Sequence, residues 1–148
     1  MRTGTWSYDI DAAATPAAAH ALLSDLTRQG ELHPLISKVE QLPAADGALR
    51  SYAITDTLRL GPIPFRITYF ADTVSISDTE IVTVARQRPR TTIRNRTTLA
   101  PTATGVHVHV DVSLTAPTVL FSYAFREGRA AHLALAGRIR EVLESSQG

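Results

Sequence analysis

Cysteine is absent from this 148-residue chain. Its absence excludes a disulfide scaffold, a cysteine-ligated zinc site and a thiol nucleophile, and leaves no mark of an oxidising compartment. Lysine is nearly absent too, since Lys38 is the one lysine among 15 basic residues. That is a bias of composition rather than a pointer to function. Charge of a single sign is also lacking: 15 basic against 14 acidic residues leave +1. Nucleic-acid binding ordinarily needs a more basic domain, so no nucleic-acid partner is expected. No apolar run approaches the ~20 residues of a bilayer span, and the opening MRTGTWSYDI has no apolar signal-peptide core. A cytoplasmic protein with no stable membrane insertion is the expectation. There is no glycine-rich phosphate loop, no defensible Ser–His–Asp order and no paired carboxylate on an inward face. No catalytic residue can be assigned from a motif, no cofactor is expected, and the oligomeric state is not legible.

What remains is pattern. A chain this long is expected to form one domain, 1–148, and can bury roughly 68–70% of its unfolded surface without a metal or disulfide. Residues 5–13 alternate, with Trp6, Tyr8 and Ile10 opposite Ser7, Asp9 and Asp11, as in a half-buried strand. The period then becomes helical. Thr15 suits the N-cap and Pro16 the first helical position. Ala18, Ala19, Leu22, Leu23 and Leu26 form the apolar stripe, and Gly30 suits a left-handed helix end. Pro34 forbids a long helix through 31–42, which predicts a turn at 31–35 and a strand at 36–42.

Five further strand-like segments follow, at 49–60, 64–76, 80–88, 91–100 and 105–115. They are rich in Thr, Val, Ile and aromatics. Spacing this short allows hairpins but no crossover helices, so an antiparallel meander is predicted. From Pro117 to about Ser145 the helical period returns for about 28 residues, with Phe121, Phe125, Gly128, His132, Leu135, Ile139 and Val142 on one face. Only this helix is long enough to cover a one-faced sheet.

That order, with IDAAATPAAAHALLSDL, ELHPLISKVEQL and LFSYAFREGRAAHLALAGRIREVLE as its landmarks, resembles the SRPBCC superfamily. This is the START and birch-pollen-allergen group, which includes polyketide cyclase/dehydrase-like members. The resemblance covers nearly the whole chain. It implies an α+β helix-grip fold: a seven-stranded curved antiparallel sheet around a long C-terminal helix, with one or two short helices after strand 1. Family members typically carry a tryptophan near His33, so His33-Pro34 is a departure. The fold implies a cavity between sheet and helix that commonly holds a hydrophobic small molecule.

The stretch VHVHVDVSL poses the question of which face matters. Two histidines at i and i+2 can share a zinc with help from a carboxylate. The competing arrangement turns His107, His109 and Asp111 to water and Val106, Val108, Val110, Val112 and Leu114 inward. A one-residue shift would bury three ionisable groups and expose five apolar ones, so the valine side is expected to face the core and no metal site is expected. On the inward face the candidate ligand-binding residues are Tyr69, Asn95 and His132 as polar orienting groups. Phe121, Phe125, Gly128, Val108, Val110, Ile67 and Ile93 are the expected apolar wall. The small residues Ala124, Gly128, Ala131, Ala136 and Gly137 mean either close packing or unfilled space.

The leading expectation is a binder of a hydrophobic small molecule, lipid-, polyketide- or isoprenoid-like. One alternative is a polyketide cyclase/dehydrase-type enzyme, with His132, Tyr69 and Asp56 as candidate acid–base groups. Another is an interaction module for an anionic partner, using the arginine hairpin Arg86–Arg96. Against it stands a solvated face balanced by Asp111, Asp72 or Glu80. The apolar tip at Leu60, Pro62, Ile63 and Pro64 either closes the cavity mouth, touches a membrane or partner, or packs on the helix.

Overall fold

The computed structural model describes residues 1–145, leaving aside the side chains of Arg59 and Leu60. The chain runs β1 (Arg2–Ala12), α1 (Pro16–Leu23), α2 (Leu26–Gly30), β2 (Ile36–Leu42), β3 (Arg50–Leu60), β4 (Ile63–Ile76), β5 (Glu80–Gln87), β6 (Thr91–Pro101), β7 (Val106–Ala116) and α3 (Thr118–Ser145). All strand pairs are antiparallel and make one seven-stranded sheet in the order β1-β7-β6-β5-β4-β3-β2. The meander β2–β7 is thus closed off by β1, which lies along β7 from Arg2↔Ala116 to Ala12↔Val106. This is the helix-grip fold.

Local chemistry accounts for the ends of the elements. The Thr15 side chain accepts from the Ala18 backbone N–H at 3.1 Å, and Pro16 opens α1 where its missing N–H costs nothing. Asp25 caps α2 by accepting from Thr27 N–H at 3.0 Å. Between the helices the chain breaks at Ser24–Asp25, so the single stripe through Leu26 resolves into two short helices. Gly30 does not end a helix in the left-handed region; positive φ among glycines falls at Gly47 and Gly61. Gly30 is instead the last residue of α2, and a β-carbon there would collide with the Val39 side chain of β2. Its smallness serves close packing, which a sequence pattern cannot separate from a capping role.

The core lies between the inner sheet face and the helices. β7 alternates strictly: Val106, Val108, Val110, Val112 and Leu114 are buried, while His107 and His109 are half-exposed and Asp111 is exposed. Trp6, Tyr8 and Ile10 of β1 join them, with Leu22 and Leu23 of α1 and Leu135, Ile139 and Leu143 of α3. A second cluster, Tyr52, Ile54 and Ala71, lies under β3 and β4. Gly128 abuts Trp6, where a β-carbon would come within 3.3 Å of the indole, so that small residue marks close contact. Gly137 has nothing near and is exposed. At the β3–β4 tip Gly61 has φ of 60°, Ile63 is 66% exposed, and Pro62 and Pro64 are exposed, so these described tip residues do not pack on the helix. Leu60's side chain lies outside the described residues.

Candidate functional site

Between α2, α3 and the inner sheet face lies a cavity of about 110 Å3. That is several times the roughly 10–15 Å3 that one water needs. Sheet register decides its walls. Cross-strand partners share a face, so Ile54↔Tyr69, Ala71↔Ala85, Ala85↔Ile93 and Thr83↔Asn95 all look inward together. Ile10, Leu23, Leu26, Ile36, Ile81, Val110, Leu135 and Ile139 add to the apolar part. Tyr8, Gln29, His33, Thr83, Thr97 and His132 join Tyr69 and Asn95 as the polar part. No Asp, Glu, Lys or Arg is among the lining residues.

Each polar group has a defined setting. The Tyr8 hydroxyl lies 3.4 Å from His132 Nδ1. The Leu35 backbone N–H donates to His33 Nδ1 at 3.2 Å. The two imidazoles face each other nearly at right angles, 86°, with centroids 6.0 Å apart. Burial holds His132 down to about 4. Burial also holds His33 down to about 4, with the neighbouring His132 and Arg138 adding to the effect. Both rings are therefore neutral near pH 7. Thr97 Oγ1 donates to Asn95 Oδ1 at 3.3 Å, which leaves the Asn95 amide N–H groups for another partner. Tyr69 donates to Asp56 Oδ1 at 3.4 Å, and burial pushes the Asp56 carboxyl up to about 6. Burial, followed by the Asp56 charge, keeps the Tyr69 phenol protonated.

Of the expected ligand-binding residues, Tyr69, Asn95, His132, Ile93 and Val110 line the cavity. The others lie elsewhere. Val108 is fully buried in the core. Ile67 is half-buried one inward position beyond Tyr69. Phe121 and Phe125 stack on each other at 5.5 Å, and Phe125 meets Trp6 edge-on at 5.1 Å. With Gly128 they belong to the first half of α3, which crosses β1 before the helix reaches the cavity at His132–Ile139. A helical stripe shows which side faces in, not which turns lie over a hollow. Gln29 and His33 were not anticipated. For His33 a signal existed, the departure from the tryptophan of the resembling family; for Gln29 there was none.

The outer face of β1 and β7 carries a ladder. Asp11 Oδ1 meets His107 Nδ1 at 2.7 Å, and His107 Nε2 meets Asp9 Oδ1 at 3.0 Å. Asp9 then meets His109 Nδ1 at 2.7 Å, and His109 Nε2 meets Asp111 Oδ1 at 3.0 Å. Every ring nitrogen is taken by a carboxylate. Among the described residues no group of three or more His, Asp or Glu is placed to hold a metal ion. In the arginine hairpin, Arg86 pairs with Asp72 at 3.2 Å and Arg96 with Glu80 at 2.7 Å, two of the three balancing acids expected. Arg94 and Arg96 do share a face with Arg86, through Val84↔Arg94, Val82↔Arg96 and the alternation of β5. No helix among the described residues is long and apolar enough to cross a membrane.

No family model matches the sequence, and no curated protein does. Solved structures match by shape. The di-domain ARO/CYC StfQ from the steffimycin biosynthetic pathway is similar with TM-score 0.78 at 14% identity, over 99% of this chain and 52% of that one. The present chain thus spans about half of that di-domain protein. Ara h 8.0201 is similar with TM-score 0.66 at 14% identity, over 93% and 98% of the two chains. A Thalictrum norcoclaurine synthase point mutant in complex with a transition-state analogue is similar with TM-score 0.69 at 13% identity, over 99% and 98%. At such identities the likeness concerns the fold.

Proposed function

We propose that this helix-grip protein binds a hydrophobic small molecule, lipid-, polyketide- or isoprenoid-like, between its sheet and α3. The observation that carries the proposal is a cavity with an apolar wall, no charged lining residue and a few polar groups at set positions. Small-molecule sites have this make-up: apolar walls supply affinity and a few hydrogen-bonding groups fix orientation. Tyr69, Asn95 and His132 are the orienting groups. Native mass spectrometry after gentle purification should show a co-purifying apolar compound. A protein that stays bare, and that no apolar ligand library stabilises, would overturn the proposal.

A second reading, an enzyme of the cyclase/dehydrase kind, is favoured by one specific feature. Asp56 is not itself a lining residue, but its carboxyl, at about 6, accepts from the hydroxyl of Tyr69, which is, and so suits a general base acting through that phenol near neutral pH. The shape likeness to StfQ supports testing it. His132, at about 4, is a weak base and suits a hydrogen-bonding role better. Incubation with an enolisable poly-β-ketone should give turnover that rises with pH through about 6. Asp56→Asn should remove that turnover; if turnover is unchanged in Asp56→Asn, the enzyme reading fails.

A further inference from the structure

His33 and His132 come from different elements, one from the turn after α2 and one from α3. Yet their rings meet at the cavity, 6.0 Å apart and nearly perpendicular. The hydrogen bonds fix what they present. Because His33 Nδ1 accepts the Leu35 N–H, the neutral ring carries its proton on Nε2. On His132 the Tyr8 hydroxyl lies 3.4 Å from Nδ1; the subsite inferred below takes the phenol as the donor, the tautomer that puts this ring's proton on Nε2 as well. Neither Nε2 has a protein partner, and neither is sealed from water: the fully buried unpartnered side-chain atoms among the described residues are Trp6 Nε1 and Thr73 Oγ1.

From this geometry we infer that His33 and His132 form a two-donor subsite for the carbonyl oxygen of an uncharged ligand. The inference rests on the cavity being a ligand site, as proposed above. Two N–H groups without an acceptor between them call for one atom with two lone pairs. A single oxygen accepting from both at about 2.9 Å requires the nitrogens to lie within about 5.8 Å of each other, a spacing that rings with centroids 6.0 Å apart can adopt. The ligand is uncharged because the lining holds no Asp, Glu, Lys or Arg to offset a buried charge of either sign. The subsite also accounts for a histidine where the resembling family has tryptophan: the ring supplies an N–H that is held in place from behind by the backbone.

The probe is the neutral ketone 6-propionyl-2-(dimethylamino)naphthalene, compared with the analogue in which propyl replaces propionyl. The ketone should bind about tenfold more tightly than the analogue, the effect of one to two net hydrogen bonds. Its carbonyl stretch should fall in frequency on binding. His33→Phe and His132→Phe, checked for folding by circular dichroism, should each bring the affinity ratio towards one. If ketone and analogue bind the unmodified protein equally and the carbonyl band does not move, the subsite is overturned while the cavity reading stands. If neither probe binds, the cavity reading falls and the subsite with it. A ratio unchanged in both variants also overturns the subsite.

Discussion

At the scale of single residues, burial rather than ion pairing tunes the titratable groups at the cavity and just behind its wall. Asp56 shows this with a definite sign. Its folded pKa, about 6, lies above the ordinary 3.8, so the unfolded chain binds fewer protons between those values. Stability therefore falls as pH rises from about 4 to about 6, and the ionised carboxyl is a net cost at pH 7. Asp56→Asn should raise stability at pH 7.5 by about 1–2 kcal/mol, and the gain should vanish near pH 4. Thermal unfolding at the two pH values checks it. Asp56, Tyr69 and His132 were legible as candidates because strand and helix periods place polar residues on apolar faces. His33 stood out only as a departure from the resembling family, and its direction was not legible, because a turn has no period from which to read one.

Among the elements, β1 and β7 are joined on both faces. Inside, Trp6, Tyr8 and Ile10 pack with the valines of β7. Outside, the Asp11–His107–Asp9–His109–Asp111 ladder crosses the seam. Hydrogen bonding to Asp11 raises His107, and hydrogen bonding to Asp9 and then Asp111 raises His109. Hydrogen bonding from His109, and less from His107, lowers Asp9. The histidine contribution is whole below their unfolded 6.5 and lost as pH rises through the folded values. The aspartate contribution is lost as pH falls through the folded Asp9 value. The ladder thus acts in a mildly acidic window. A His107→Ala/His109→Ala variant should show its largest Tm deficit near pH 6 and almost none near pH 9. For α1, Thr15→Ala should cost about 1 kcal/mol in denaturant unfolding, the ordinary loss of an N-cap. That cap, like the strict alternation of β7, was visible in sequence because it depends on neighbours along the chain.

For the molecule as a whole, core and cavity share the interval between one sheet face and α3. The close-packed end lies where Phe121, Phe125 and Gly128 meet Gly4 and Trp6. The hollow lies farther along, under His132, Leu135 and Ile139. Truncation should therefore act differently at the two ends. Phe121→Ala should cost about 3–5 kcal/mol without altering ligand selection. A cognate ligand should stabilise the protein by RT ln(1 + [L]/Kd), about 2.7 kcal/mol at a hundredfold excess over Kd. A thermal-shift titration reads both.

Local pattern was enough to determine the element order, the antiparallel meander, the length of α3 and the outward turn of His107, His109 and Asp111. Each follows from a period of about two or 3.6 residues and from the cost of burying charge. Only the tertiary structure decided which turns of α3 lie over empty space, that Gly30 serves contact with Val39, and that His33 faces His132. Those facts depend on where one element stops against another, and no periodicity along the chain records the distance between two surfaces that fold together.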